Sequence, residues 1–238
     1  MIAWLADDSL DFPPLKQALT DPDGLLAAGG DLSEARLLTA YRQGIFPWYN
    51  PGEPILWWSP DPRCVLFPGD LYLSRSMRKR LRKTDYRVTF DTAFARVIAA
   101  CAAPRRKQAG TWISDDIFTA YLNLHHQGIA HSVEVWVGEE LAGGLYGLGI
   151  GKVFFGESMF STQRDCSKIA FAWLATQLRH WHYELIDCQV YNDHLASLGA
   201  TEIPRAIFAQ EVARLRDRPC EHAWYFSIDR DAVAEGRA

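Results

Sequence analysis

The chain has little sulfur, no long apolar run and no basic surplus, and each shortage excludes something. Its five cysteines, Cys64, Cys101, Cys166, Cys188 and Cys220, are odd in number, widely spaced and without a C-x-x-C pair. That argues against a zinc ribbon or a disulfide scaffold and for small buried hydrophobes in a reducing compartment. No stretch approaches the roughly 18 apolar residues of a membrane span. Met1 to Asp8 has neither a basic flank nor an apolar run, so the N-terminus does not read as a signal peptide and the chain reads as cytoplasmic. A net charge of −4 and a pI near 6.0 argue against a nucleic-acid partner. What is present is an ordinary globular composition, 48% hydrophobic and 23% charged, rich in aromatics with nine Trp, nine Tyr and twelve Phe among 238 residues. It can bury a substantial core in one domain or two.

The average charge conceals its distribution. Residues 1–63 carry 9 acidic and 4 basic side chains, residues 72–107 carry 11 basic and 2 acidic, and residues 108–238 carry 10 basic and 17 acidic. The basic block centres on Arg75, Arg78, Lys79, Arg80, Arg82 and Lys83, with a second cluster at Arg105-Arg106-Lys107. On a helix over 75–83, Arg75, Arg78 and Arg82 with Lys79 and Lys83 form one solvated stripe. Local charge sets affinity for a phosphate backbone. A basic helix that merely balances acidic neighbours is the competing reading.

Turn formers crowd the first 63 residues, and the Asp61-Pro62 turn is the natural end of a small N-terminal domain, 1–63, before a larger one, 64–238. A helix capped by Ser33 runs past Tyr41 to Gly44. Beyond the turn the pattern is α/β, with a mixed sheet. A strand over 86–90 precedes a helix over 91–101, and Ser114 caps a helix to Gln127-Gly128. Residues 131–137 alternate as a strand exposed on one face, and 140–148 return as a hairpin. Residues 153–160, 167–181 and 185–190 read as strand, helix and strand, a crossover that implies parallel pairing. Helical segments follow at 192–198 and 204–216.

Several apparent motifs fail on inspection. Gly147-Leu148-Gly149-Ile150-Gly151 lacks phosphate-loop spacing and reads as a β-turn. Gly156-Glu157-Ser158-Met159-Phe160 lacks the closing glycine of a nucleophile elbow, which leaves a Ser158/His194/Asp187 triad only as one of the triples any long chain offers. His180 and His182 would face different ways on a helix, and His125-His126 reads as helix surface. Three places carry more. Glu157 lies in an apolar strand, where an unpaired carboxylate is costly, so a cationic partner or ligand is expected. Asp187 and Gln189 close a buried strand on one face, and Asn192-Asp193-His194 follow at its carboxyl end, where open α/β sheets bind ligands. Trp112, Phe154, Phe155, Phe160 and Phe171 would wall the site. The competing reading for each is a satisfied buried polar group, and the residues alone stop at an α/β transferase or binding protein with an apolar pocket.

The segments Gly24–Leu32, Tyr41–Trp48 and Trp57–Arg63, then Gly110–Ile113, His131–Trp136, Gly156–Ser161 and Asp187–His194, and finally Gly199-Ala200 with Ile203-Pro204-Arg205 occur in order over most of the chain. In that order they resemble the leucyl/phenylalanyl-tRNA–protein transferase family. Asp165-Cys166 departs from its pattern, where Asn-Ala is expected. The resemblance implies a cytoplasmic enzyme that moves Leu, Phe or Met from aminoacyl-tRNA to the α-amine of proteins beginning with Arg or Lys, marking them for N-end rule degradation. It also implies a GNAT-like acyltransferase domain behind the small N-terminal one. Because an aminoacyl ester is already activated, it implies neither cofactor nor metal. By the same resemblance Asp187 and Gln189 are the catalytic pair, Asp187 polarising Gln189 in one reading and serving as electrostatic partner to a positioning Gln189 in another. Glu157, with Ser158 and Asn192, falls in the donor site. Trp112, Leu145, Phe171 and Leu174 match the side-chain pocket, Trp48 adjoins the terminal adenosine, and the basic residues Arg75 to Lys83 hold the acceptor stem. Two rivals stay open: a protein that only captures aminoacyl-tRNA, and a GNAT-type enzyme using acyl-CoA, which would lack its usual R/Q-x-x-G-x-G/A turn here.

Overall fold

The computed structural model describes residues 2–103 and 111–236; Arg105, Arg106, Lys107 and Gly110 lie outside them. A small sheet forms from β1 (Ala3–Leu5), β2 (Leu25–Gly29), β3 (Phe46–Pro47) and β4 (Leu56–Trp58), in the order β1-β2-β4-β3. Helix α1 (Glu34–Tyr41) stands beside it, started by the Ser33 side chain accepting from Arg36 N–H.

The main sheet has seven strands: β5 (Arg63–Leu66), β6 (Arg87–Phe90), β7 (Ala130–Val137), β8 (Glu140–Ile150), β9 (Val153–Ser161), β10 (Leu185–Gln189) and β11 (Thr201–Ile203). Their order is β11-β5-β10-β9-β8-β7-β6. The remaining helices are α2 (Arg75–Leu81), α3 (Phe94–Ala102), α4 (Asp115–His126), α5 (Cys166–His180), α6 (Asp193–Ala196), α7 (Arg205–Leu215) and α8 (Arg230–Glu235). Ser74, Ser114, Asn192 and Asp229 cap α2, α4, α6 and α8 through their side chains. The expected mixed α/β class is the one observed, and β9 pairs parallel to β10 across the crossover helix α5.

Two apolar clusters sandwich the main sheet. One joins the small sheet and α1 to α3, α4 and α7; the other packs α2, α5 and α8 on the opposite face. This layering overturns one expectation. Residues 130–136 are buried on both faces instead of alternating, because helices cover both sides.

Other differences have local causes. The helix expected from Asp91 begins at Phe94. The Asp91 carboxylate instead accepts from Ser132 N–H (2.7 Å) and meets His131 Nδ1 at 2.7 Å. Of the segment expected to turn, Gly147 and Gly149 lie inside β8 and Gly151 lies in the turn that leads to β9. A Cβ at Gly147 would come within 2.2 Å of the Phe155 carbonyl, and one at Gly149 within 2.6 Å of the Trp224 ring, so both permit close packing. His125 is no simple surface residue, since its ring stacks on Phe94 at 4.3 Å and its Nδ1 lies 2.9 Å from the Ala130 carbonyl. Among the described residues no helix is long and apolar enough to cross a membrane.

Candidate active site

Parallel pairing of β9 and β10 runs from Leu185 opposite Val153 to Asp187 opposite Phe155. Beyond that register the strands part, and a cleft of about 890 Å³ opens at the carboxyl end of β10, where open α/β sheets offer a crevice. Each strand carries an irregularity at this point. On β9 the register with β8 shifts between Gly156 and Ser158, so Glu157 is the extra residue. On β10 the register with β5 shifts between Asp187 and Gln189, and Gln189 has φ +62°, costly for a non-glycine residue. Bulges of this kind re-aim side chains.

Asp187 is fully buried and gripped by Arg63, which is also fully buried. Arg63 Nε donates to Oδ1 (2.8 Å) and Nη2 to Oδ2 (2.6 Å), the bidentate geometry that makes such pairs strong. The guanidinium lies between the rings of Phe46 and Phe208, at 4.7 and 4.5 Å. Asp187 Oδ1 also accepts from the backbone N–H of Gln189 (2.9 Å). The carboxylate therefore fixes the main chain of Gln189. The Gln189 side-chain amide, which one sequence reading has Asp187 polarise, makes its hydrogen bond to Glu157 instead.

The Gln189 side chain turns to Glu157, its Nε2 donating to Oε1 at 2.8 Å. Tyr41 Oη donates to the same oxygen (2.7 Å), Tyr121 Oη lies 3.1 Å from Oε2, and the two phenols are in hydrogen-bond contact with each other. A cationic partner or a ligand is expected for Glu157; among the described residues no cation contacts it, and burial favours the neutral acid. Burial pushes its pKa up to about 8, against the downward pull of Tyr41, Tyr121 and Gln189. Burial, reinforced by Glu157, also raises both phenols well above their ordinary value, so they remain donors.

Of the residues expected at the site, Asp187, Gln189, Glu157, Ser158 and Asn192 line the cleft, as do Trp112, Leu145, Phe171 and Leu174. Asn192 also caps α6. Phe154 and Phe160 join the wall, whereas Phe155 packs behind it, 5.4 Å from Tyr41. Trp48 does not line the cleft; it is 48% exposed and sits against Trp58 at 5.5 Å. No Ser158/His194/Asp187 triad forms, because Asp187 is committed to Arg63 and His194 Nε2 approaches Ser167 Oγ at 3.4 Å. Tyr41, Tyr121 and Arg63 are the residues sequence reasoning missed. Tyr41 and Arg63 lay inside the quoted motifs, and an arginine opening the apolar run Cys64-Val65-Leu66 was the available signal.

The basic stripe is only partly free. Arg78 turns inward, donating from Nε to Leu73 O (3.0 Å) and from Nη1 to Ala234 O and Glu235 O (3.1 and 2.9 Å), so it clamps α8. Arg80 pairs with Asp85 at 2.6 Å and covers the Tyr86 ring. Arg75, Lys79, Arg82 and Lys83 remain exposed.

A mixed sheet whose parallel strands part over a largely apolar cleft, with a carboxyl and an amide held there by hydrogen bonds, defines an α/β protein with a ligand-sized candidate active site. Comparison with known proteins makes the class specific. A family model described as leucyl/phenylalanyl-tRNA protein transferase matches residues 65–213, and the model of that family's N-terminal domain matches residues 30–61. The chain belongs to this family. A leucyl/phenylalanyl-tRNA–protein transferase of Nitrosomonas europaea is 60% identical over 229 residues, covering 96% of this chain and 97% of that protein. The Stutzerimonas stutzeri protein of the same name is 58% identical over 224 residues, covering 94% and 99%. Among solved structures, a GCN5-related N-acetyltransferase from Kribbella flavida is similar with a TM-score of 0.36 and 10% identity, over 69% of this chain and 58% of that one.

Proposed function

We propose that the chain moves Leu, Phe or Met from aminoacyl-tRNA to the α-amino group of proteins beginning with Arg or Lys, in the cytoplasm, marking them for N-end rule degradation. The observation that carries the reading is the immobilised Gln189 at the mouth of an apolar cleft, its amide nitrogen held by Glu157. With that nitrogen engaged, the carbonyl oxygen of Gln189 is left to accept from the incoming amine. An amide is too weak a base to keep the proton, so Gln189 orients the nucleophile and does not deprotonate it. The amine nitrogen attacks the ester carbonyl, the bond to the ribose oxygen breaks, and the amine proton reaches that oxygen through solvent. The acceptor α-amine has an ordinary pKa of about 7.7–8.0, so a fraction is already neutral. Asp187, with its charge matched by Arg63, is the electrostatic partner that holds the Gln189 backbone.

The donor side chain enters between Trp112, Leu145, Phe171 and Leu174, with Glu157, Ser158 and Asn192 beside the aminoacyl group. An apolar pocket discriminates by about 1–3 kcal/mol per methylene, which suits tolerance of Leu, Phe and Met together. Arg75, Lys79, Arg82 and Lys83 grip acceptor-stem phosphates, with Arg80 and Arg78 contributing what their internal partners leave, and they read no bases. Trp48, exposed and outside the cleft, serves the terminal adenosine only if the tRNA reaches beyond it. The matches over 30–61 and 65–213 support a division into an N-terminal domain, 1–63, and a GNAT-like catalytic domain, 64–238. The test is incubation with labelled Phe-tRNA and a peptide beginning with Arg. Label should pass to the peptide; ester hydrolysis without transfer overturns the reading.

A further inference from the structure

The strand that bears Asp187 and Gln189 also bears Cys188, and opposite it on β5 lies Cys64. The bulge sets both Cys188 and Gln189 against Cys64, since Asp187 pairs with Val65 and Gln189 with Cys64. Both thiols belong to the face of the sheet covered by α5: Cys64 is buried in that apolar cluster and Cys188 packs against it. Side chains opposed across antiparallel strands have Cβ atoms about 4.5–5.5 Å apart, close to what a disulfide spans after a small adjustment. Cys188 is half-buried and lines the cleft, whereas Cys64 has no exposed surface.

We propose that Cys64 and Cys188 form a disulfide that shuts the cleft off under sustained oxidation. The inference rests on the reading that the end of β10 carries the catalytic pair. A peroxide entering the cleft oxidises the Cys188 thiol to a sulfenic acid and leaves as water. The Cys64 thiolate then attacks that sulfur, joining the two and expelling hydroxide, which takes up the Cys64 proton. In all, two thiols and one hydrogen peroxide become one disulfide and two waters. Access sets the order of the two steps, since Cys188 lines the cleft and Cys64 does not. Hydrogen bonding from Cys188 holds the Cys64 thiol below its ordinary value. The same contact, with burial, raises Cys188 well above its own, so the first step is slow. The consequence follows from position. Drawing Cys188 onto Cys64 must reshape the bulge, and with it the left-handed backbone of Gln189 and the N–H that Asp187 holds. A displacement near 1 Å of a positioning group costs about 100-fold in rate.

The experiment treats the full chain, carrying Cys220→Ser to remove the exposed thiol, with hydrogen peroxide. Non-reducing digestion and mass spectrometry follow the thiols while Phe transfer is assayed in parallel. The expected result is a linked peptide pair containing Cys64 and Cys188, a fall in transfer of about 100-fold, and recovery of both on adding dithiothreitol. A Cys64→Ala variant should give no linked pair and should expose a Cys188 sulfenic acid to dimedone. Free thiols at both positions after prolonged peroxide, or a linked pair with undiminished transfer, overturns the proposal. If the reduced protein transfers nothing, the functional reading fails by itself, and the mass map still decides whether the disulfide forms.

Discussion

Two carboxyl groups, Asp187 fully buried and Glu157 half-buried, stand on neighbouring strands, and the protein treats them in opposite ways. At the end of β10, Asp187 faces a guanidinium in bidentate contact. At the bulge of β9, Glu157 faces two phenols and an amide and keeps its proton up to about pH 8. A buried acid is tolerated either by pairing its charge or by not having one. Here the charged solution locks a backbone, and the neutral one holds a side chain facing the cleft. Gln189 is the residue on which both act, through its N–H and its amide.

Breaking the charged side should have the largest effect. Arg63→Met leaves Asp187 buried without its partner, and urea denaturation should show a loss of about 3–5 kcal/mol. Transfer activity should fall with it, because the Gln189 backbone loses its anchor. Undiminished stability would mean that Asp187 does not need the guanidinium.

The neutral side should reveal itself through pH. Glu157 keeps in the folded state a proton that the unfolded chain releases near 4.5. Its contribution therefore makes stability fall as pH rises from about 4.5 to about 8, and is constant outside that window. The slope is at most about 1.4 kcal/mol per pH unit. Glu157→Gln should remove it in a urea series across pH, and the same variant should flatten any loss of transfer above pH 8. An identical pH series for the variant and the parent would count against a protonated Glu157. Tyr41→Phe removes one member of the hydrogen-bonded ring and should cost about 1–3 kcal/mol. It should also shift the alkaline limb of activity, which a purely packing role would leave in place.

The smallest effects belong to the surface. Lys79→Ala or Lys83→Ala should weaken tRNA binding and reduce its log–log salt slope by about 0.9 or less for each phosphate contact. Arg80→Ala should flatten the slope less, since Asp85 and Tyr86 already hold that guanidinium. Unchanged slopes in the two lysine variants would remove α2 as the RNA-facing surface.

Much of this was legible before the structure. Ser33 and Ser114 announced their helices, and the strand–helix–strand run over 153–190 announced a parallel pair, because caps and periodicity are local. Asp187, Gln189 and Glu157 stood out as polar residues in apolar strands. The short strands β1, β5 and β11 and the helix α8 carried no such signal, since three- and four-residue strands are defined by their neighbours and α8 (Arg230–Glu235) is held partly by Arg78. Which partner each carboxyl would take was equally hidden. Arg63 and Asp187 are 124 residues apart, and Tyr41 and Glu157 are 116 apart.

The sequence by itself determined the class, the elements with their own caps and periods, and the set of polar groups that burial would make expensive. It also located the positive charge that the average of −4 conceals. Only the tertiary structure decided how each expense was met, which arginines stayed free for an outside partner, and that Glu157 would be neutral. The reason is physical. A pKa and a hydrogen-bond network depend on solvent exclusion and on atoms brought from distant segments, and neither is a property of the residues one after another.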